Sequence, residues 1–365
     1  MEEKKTLREG YTTGSCATAA TKAALTALIT GRVQREATIR LPIGRVVTFA
    51  VESCTYDGAS ATAAVVKDGG DDPDATHGAL IVSTVSWASS PGVHIDGGEG
   101  VGRVTKPGLP VPVGEAAINP VPRNMIRQTV KEVLGQYGID RGVNVVISVP
   151  GGEEIAKKTL NARLGIIGGI SILGTRGIVV PFSTAAYRTS IVRALQVAKA
   201  NGCRHVVVTT GGRSEKYAMR EYPDLPEEAF IEMGDFVGFT LKQCKRLGFE
   251  RVSMVGMMGK FSKVAQGIMM VHAKSAPVDF GFLARLAEQA GSPASLVAAV
   301  RGANTAAQVG DMMQKAGFTA FFQLLCEACC RAALNEVGGG MTVETSIYTL
   351  DGQRLGKAVR KSGDD

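Results

Sequence analysis

The chain has 365 residues, 45% of them apolar and 21% charged, with a net charge of +7; this is ordinary for a globular protein long enough to hold two cores. Its basic residues are scattered and aromatics make up only 5% of it, whereas nucleic-acid binders gather Lys and Arg in a stripe and add stacking platforms, so a small polyanionic ligand suits the charge better than DNA or RNA. The opening MEEKKTLREG has no apolar signal core, no run reaches membrane-spanning length, and the seven cysteines are irregularly spaced; the expectation is a cytoplasmic protein in a reducing compartment, with no membrane partner and no disulfide framework.

Residues 10–31, GYTTGSCATAATKAALTALITG, read as a loop feeding a helix. Thr13 or Ser15 can cap it, Ala and Leu carry it, and Gly31 ends it. The loop TTGSCA sets free backbone N–H groups at a helix start, a candidate anion cradle; a plain capped helix fits the same residues. From Ala37 to about Thr105 the pattern turns to short alternating or apolar runs, ATIRLPIG, RVVTFAVES, SATAAVVKD, ALIVSTVSW and GVHIDGGEG, each a predicted strand. The acidic turn KDGGDDPDATHG lacks the spacing and terminal Glu of a calcium loop, so a solvated loop near a ligand is expected there. Residues 101–126 hold five prolines, which rule out a helix interior or central strand. They read as an ordered, extended crossing between two differently built halves with polar groups held for a ligand, and equally well as a surface-running connector.

Beyond it, Met125–Gly138 is a predicted helix, and the chain settles into strand, glycine loop, helix. VNVVISV (143–149), HVVVTT (205–210) and RVSMVG (251–256) each run into a glycine-bearing loop. Continuous apolar strands followed by helices signal a parallel sheet covered on both faces, with ligands beyond the carboxyl ends of the strands. All three loops are expected to crowd one rim, although no G-x-G-x-x-G follows any of these strands. Residues 226–247 and 279–335 read as helical, and the tail MTVETSIYTLDGQRLGKAV as a hairpin turning at Asp351–Gly352. Cys326, Cys329 and Cys330 form a CxxCC within an apolar helix pattern with no second ligand pair nearby; core thiols are expected and no metal site is assigned. GMMGKFS is too short for a phosphate-binding G-x-x-x-x-G-K-[ST] loop, yet it keeps a phosphate-recognising α/β enzyme among the alternatives.

Four longer blocks say more: GYTTGSCATAATKAA (10–24), VGRVTKPGLPVPVGEAAINPVPRNMI (101–126), SVPGGEEIAKKTLNARLGIIGGISILGTRGIVVPFS (148–183) and GKFSKVAQGIMMVHAKSAPVDF (259–280). In order and content they resemble the cobalt-precorrin-5B C1-methyltransferases (CbiD) of anaerobic cobalamin biosynthesis. The resemblance implies methyl transfer from S-adenosylmethionine to C1 of a cobalt tetrapyrrole, giving cobalt-precorrin-6A. It also implies an α+β N-terminal domain followed by a Rossmann-like three-layer α/β/α domain with a mostly parallel sheet. The expected boundaries are 1–120, 121–335 and a tail, 336–365, packing back on the N-terminal domain. A non-catalytic tetrapyrrole carrier remains an alternative. Neighbouring enzymes of the pathway are candidate partners.

The carboxylate-rich macrocycle calls for Lys and Arg, and within the matching blocks these are Lys106, Arg123, Arg176, Lys260 and Lys263, with Thr12, Thr13 and Ser15 as hydrogen-bonding groups. For the methyl donor, Gly151, Gly152, Gly211 and Gly212 offer backbone N–H groups, and Glu153 or Asp235 a carboxylate for ribose hydroxyls. His272 and Asp279 are the candidate acid–base pair by residue type. No protein-bound metal is expected, since cobalt arrives in the substrate. Nothing beside Cys16 in sequence would lower its pKa.

Overall fold

The computed structural model describes residues 6–363. The chain forms two compact units, Met1–Thr184 and Ala185–Asp365. The boundary therefore falls at 184/185 and not at 120, and the proline segment does not cross between halves. It lies wholly inside the first unit, where residues 105–119 form turns and Pro120 opens the helix Pro120–Gln136 behind Asn119. Proline suits that position because the first helical N–H has no partner within the helix.

In the first unit a five-stranded sheet runs in the order Ser53–Tyr56, Ser60–Val66, Leu80–Trp87, Val143–Ser148, Val93–Gly97. All neighbours are antiparallel except the last pair, which is parallel. The helix Thr13–Thr30 packs on this sheet and against Pro120–Gln136. Enclosure on two sides explains its alanine face: Ala17, Ala20, Ala24 and Ala27 are fully buried against Ala61, Val85, Val145 and Ile147. Small side chains let the helix approach the sheet closely. Gly31 ends the helix in the left-handed conformation (φ 64°), its N–H donating to Ala27 O. The strand 143–149 thus belongs to this mixed sheet. A continuous apolar run reports burial on both faces but not which sheet supplies the neighbours.

In the second unit the sheet order is Phe230–Glu232, His205–Thr209, Arg251–Met257, Thr342–Tyr348, Arg354–Lys361. The first four strands are parallel and the last is antiparallel. Val206, Val208, Val252, Met254, Val343 and Ile347 enter the larger core with the helices Thr184–Ala200, Val237–Arg246, Phe280–Gln289, Ala306–Lys315 and Thr319–Val337. Val207, Phe230, Val255 and Tyr348 face the other way, onto the helix Gly212–Glu221. Alternation along the strands thus gives a mostly parallel sheet covered on both faces. The terminal hairpin turns at Gly352 (φ 90°) and pairs with Arg251–Met257, so the tail completes the sheet of the second unit. Cys326, Cys329 and Cys330 are buried in the core of the same unit. Residues 226–247, expected to be helical throughout, break into a single turn, the strand Phe230–Glu232 and the helix Val237–Arg246.

Candidate active site

In the first unit the loop before Thr13–Thr30 is stitched to residues 171–177. Thr12, rather than Thr13 or Ser15, is the cap, its Oγ1 accepting from Ser15 N at 3.3 Å. Gly14 N donates to Leu173 O at 3.0 Å and Thr12 N to Gly177 O at 3.2 Å. Ser15 Oγ donates to Gly177 O at 2.7 Å from a wholly buried position. The expected anion cradle is therefore occupied by the chain's own carbonyls, and the Ser15 hydroxyl stitches the two segments together. Cys16 is buried beneath it; burial pushes its thiol up to about 12, which leaves almost no thiolate at neutral pH.

Thr12 and Thr13 do line a cleft of about 220 Å³, together with Lys67, Asp74, Thr76, Asn161 and Ser171. Sequence reasoning missed Lys67. Its side chain is 2% exposed and its ammonium donates to Asp74 Oδ2 at 2.5 Å. Burial pushes the Asp74 carboxyl up, but the hydrogen bonds from Lys67 and Thr76 outweigh it and hold the group below its ordinary range. The acidic turn expected near a ligand forms this wall. An apolar strand, SATAAVV, ending in a lone Lys before an acidic turn was the available signal.

The other first-unit candidates divide. Arg123 is a clamp on the proline segment: its guanidinium donates to Ile118 O at 2.8 Å and Ala116 O at 3.1 Å, and pairs with Glu115 at 3.1 Å. Only 14% of that side chain is exposed, so it is no open docking cation. The stem of Lys106 crosses Gly165, where a Cβ would come within 2.5 Å of it. Arg176 is exposed. Gly151 and Gly152 do not form a ligand cradle. Gly152 N donates to Val149 O, and a Cβ on Gly152 would lie 2.2 Å from Gly100 O; main chain fills the space. Glu153 is exposed at the start of the five-residue helix Gly152–Ala156. This loop follows a strand of the first unit's sheet, so the three glycine loops do not follow strands of one sheet.

In the second unit the loop Thr210–Gly211–Gly212 follows the strand His205–Thr209, whose neighbours are Phe230–Glu232 on one side and Arg251–Met257 on the other. The chain visits one side and then the other, so the carboxyl end of His205–Thr209 is a topological switch point, where open α/β sheets leave a crevice. Nothing lies within 4 Å of the position a Gly212 Cβ would take, and from that of Gly211 the nearest atom is Glu232 Oε1 at 4.0 Å. The Thr209 hydroxyl, at the strand's end, is buried without a hydrogen-bond partner among the described residues. Lys260 bridges this rim: its ammonium pairs with Asp235 at 2.9 Å and donates to Thr210 O at 3.2 Å. GMMGKFS accordingly forms a strand end and the seven-residue helix Met258–Val264, with Lys260 directed onto Asp235 and Thr210, not over a phosphate.

Lys263 is buried and donates to His272 O at 3.1 Å. Its ammonium thereby pins the 265–279 loop. His272 and Asp279 each engage a main-chain amide close by in sequence. His272 Nδ1 accepts from Lys274 N at 3.1 Å, and Asp279 caps Phe280–Gln289 by accepting from Phe282 N at 3.0 Å. Both side chains serve local turns.

On the opposite face of this sheet Glu344 is wholly buried, and burial pushes its carboxyl up against the pull of Lys357 at 2.7 Å. Tyr222 and Arg251 complete its partners.

The molecule is thus a two-unit α/β protein with a polar cleft in its first unit and a switch-point crevice in its second. Its sequence matches the CbiD family over residues 1–181 and the CbiD C-terminal domain over residues 270–359. The cobalt-precorrin-5B C(1)-methyltransferase of Geobacillus kaustophilus (strain HTA426) is 87% identical over 365 residues, 100% of this chain and 98% of its own. That of Priestia megaterium is 68% identical over 359 residues, 98% of each chain. A crystal structure of a cobalamin biosynthesis protein (cbiD) from Archaeoglobus fulgidus is 30% identical, covers 69% of this chain and 78% of that one, and has a TM-score of 0.38. The chain belongs to the CbiD family of cobalt-precorrin-5B C(1)-methyltransferases. No helix among the described residues is long and apolar enough to cross a membrane.

Proposed function

We propose that the protein transfers a methyl group from S-adenosylmethionine to ring carbon C1 of cobalt-precorrin-5B, giving cobalt-precorrin-6A. The observation that carries this reading is 87% identity over the whole chain to a relative named for the reaction. The switch-point crevice supports it, because the glycines at 211 and 212 leave the main chain there open to approach by a ligand.

The donor supplies an electrophilic methyl group, so the chain's task is to hold sulfonium and ring carbon in line, which is where most of the acceleration of such a transfer arises. The N–H groups at Gly211 and Gly212, at the start of the ten-residue helix Gly212–Glu221, suit the donor's carboxylate. Asp235 holds Lys260 over the same rim, where the ammonium adds positive charge for an anionic group. The exposed Arg176, with Lys106 and the Thr12–Thr13–Lys67 cleft, offers contacts for the carboxylate side chains of the tetrapyrrole. That cleft, at about 220 Å³, has room for one short side chain and not for the macrocycle. Cobalt belongs to the substrate.

The test is anaerobic incubation of the purified chain with S-adenosylmethionine and freshly generated cobalt-precorrin-5B, followed by mass spectrometry of the tetrapyrrole. A donor-dependent gain of one methyl group is expected. An unchanged mass, with substrate intact and protein folded, overturns the proposal.

A further inference from the structure

Resting on the methyl-transfer reading, we infer that Glu232 is the residue that recognises the donor's ribose, its carboxylate accepting from the 2′- and 3′-hydroxyls across the crevice from Gly211, with Tyr187 as the residue that positions it. Four observations carry this.

The first is register. Glu232 is the last residue of Phe230–Glu232 and pairs with Thr209, the last residue of the neighbouring parallel strand, immediately before the glycine loop. A carboxylate there stands one strand over from the loop, about 4.8 Å in a sheet. The second is the open cradle. A Cβ on Gly211 would face Glu232 Oε1 at 4.0 Å, so a sugar lying on the Gly211 backbone would occupy the volume between backbone and carboxylate. The third is that the group is exposed beside a tyrosine hydroxyl. Glu232 is exposed, and it stands near enough to Tyr187 for its charge to act on the phenol hydroxyl. Tyr187 is in turn packed against Phe236 with ring centroids 5.5 Å apart. Burial, with the charges of Glu232 and Asp235, pushes the Tyr187 hydroxyl up to about 12, so it remains a donor throughout the neutral range. A carboxylate offers about four acceptor positions, enough for the Tyr187 hydroxyl and for both hydroxyls of a diol. The fourth is the contrast with Asp235, whose Oδ1 is held by Lys260 at 2.9 Å. Asp235 serves the cation, and Glu232 is left for the sugar.

Spacing agrees. Glu232 lies 21 positions after Gly211, close to the roughly 20 residues that separate glycine turn and ribose-binding acid in dinucleotide folds. The consequence is selectivity: a carboxylate aimed at a diol distinguishes ribose from deoxyribose, because removing a hydroxyl leaves an acceptor without its donor.

The experiment uses the full chain and isothermal titration calorimetry with two probes, S-adenosylhomocysteine and its 2′-deoxy analogue. Wild type is expected to prefer the ribose form by about tenfold or more, the worth of one charge-assisted hydrogen bond. In Glu232→Gln that preference falls to within about twofold, with affinity for S-adenosylhomocysteine reduced on the order of tenfold. Tyr187→Phe weakens both probes a few-fold and keeps most of the preference, as expected of a positioning residue. Matching thermal unfolding of each variant and wild type identifies the losses as local. A preference unchanged in Glu232→Gln, or one abolished by Asp235→Asn instead, overturns the assignment while leaving methyl transfer standing. A wild-type chain that binds neither probe overturns both.

Discussion

Asp74→Asn should destabilise the first unit more than Lys67→Met does, although the two side chains form a single ion pair. The asymmetry follows from burial. Lys67 is 2% exposed and Asp74 is its carboxylate partner at 2.5 Å, whereas Asp74 is 19% exposed and also accepts from Thr76 N at 2.7 Å and Thr76 Oγ1 at 2.6 Å. Removing the Asp74 charge strands an ammonium out of water, a loss of about 3–5 kcal/mol. Removing the lysine leaves a carboxylate that keeps two hydrogen bonds and some solvent, so the cost should be about 1–3 kcal/mol. The double variant removes both charges and should fall short of the sum by about 1–3 kcal/mol. Trp87, the single tryptophan, ends the strand Leu80–Trp87 of the same unit. Urea unfolding followed by its fluorescence therefore reads that unit. The pH dependence has a definite sign. The folded carboxyl is held below its ordinary value, so the pair's contribution is full above the unfolded value near 3.9 and is lost as pH falls through the lower folded one. A cost below about 1 kcal/mol for Asp74→Asn, or a strictly additive double variant, would refute the claim that Lys67 depends on this partner.

Gly152→Ala should lower the unfolding free energy read in the same urea titration by about 2–4 kcal/mol, because its Cβ would lie 2.2 Å from Gly100 O with no side chain able to yield. Gly135→Ala, within Pro120–Gln136 and with nothing within 4 Å of the added carbon, should be neutral or stabilising by up to about 1 kcal/mol; equal effects would sink the packing argument. Mass-spectrometric mapping after brief iodoacetamide treatment at neutral pH should find the half-buried Cys54 labelled and Cys16 unlabelled until urea is added, since burial pushes Cys16 up to about 12. His205, hydrogen-bonded to Ser253 Oγ at 2.8 Å, is pushed down to about 4 by burial and by Arg251 and Lys357. Its unfolded form takes up a proton near pH 6.5 while the folded form resists until about pH 4, so it lowers stability as pH falls through that window. Discounted for partial solvation, the effect is about 1–2 kcal/mol. It should shrink in His205→Asn when urea midpoints at pH 7.5 and pH 5 are compared by circular dichroism.

Much of the architecture was legible because it is written in local rules. The helix Thr13–Thr30 and its Gly31 stop, the strands from 36 to 97, and the hairpin turning at Asp351–Gly352 follow from capping, alternation and turn chemistry. The site was read less well. Lys263, Arg123, His272 and Asp279 are the residue types expected around a carboxylate-bearing substrate, yet each engages a main-chain group of its own unit. A sequence reports which groups can hydrogen-bond, not which carbonyl or amide reaches them first. Glu232 was hidden by the helical reading of 226–247, because a three-residue strand is too short to show a period.

By itself, then, the sequence determined the local elements, the two cores' worth of apolar residues and, through its long blocks, the family. Only the tertiary structure decided where the units divide and which sheet receives the strand Val143–Ser148. It also decided which polar groups are consumed in holding the chain together and which remain for a ligand. The physical reason is range: turns, caps and periodicity are settled within a few residues, whereas pairing Thr209 with Glu232, or closing 171–177 over Thr13–Ser15, is settled between distant segments that compete for the same hydrogen bonds.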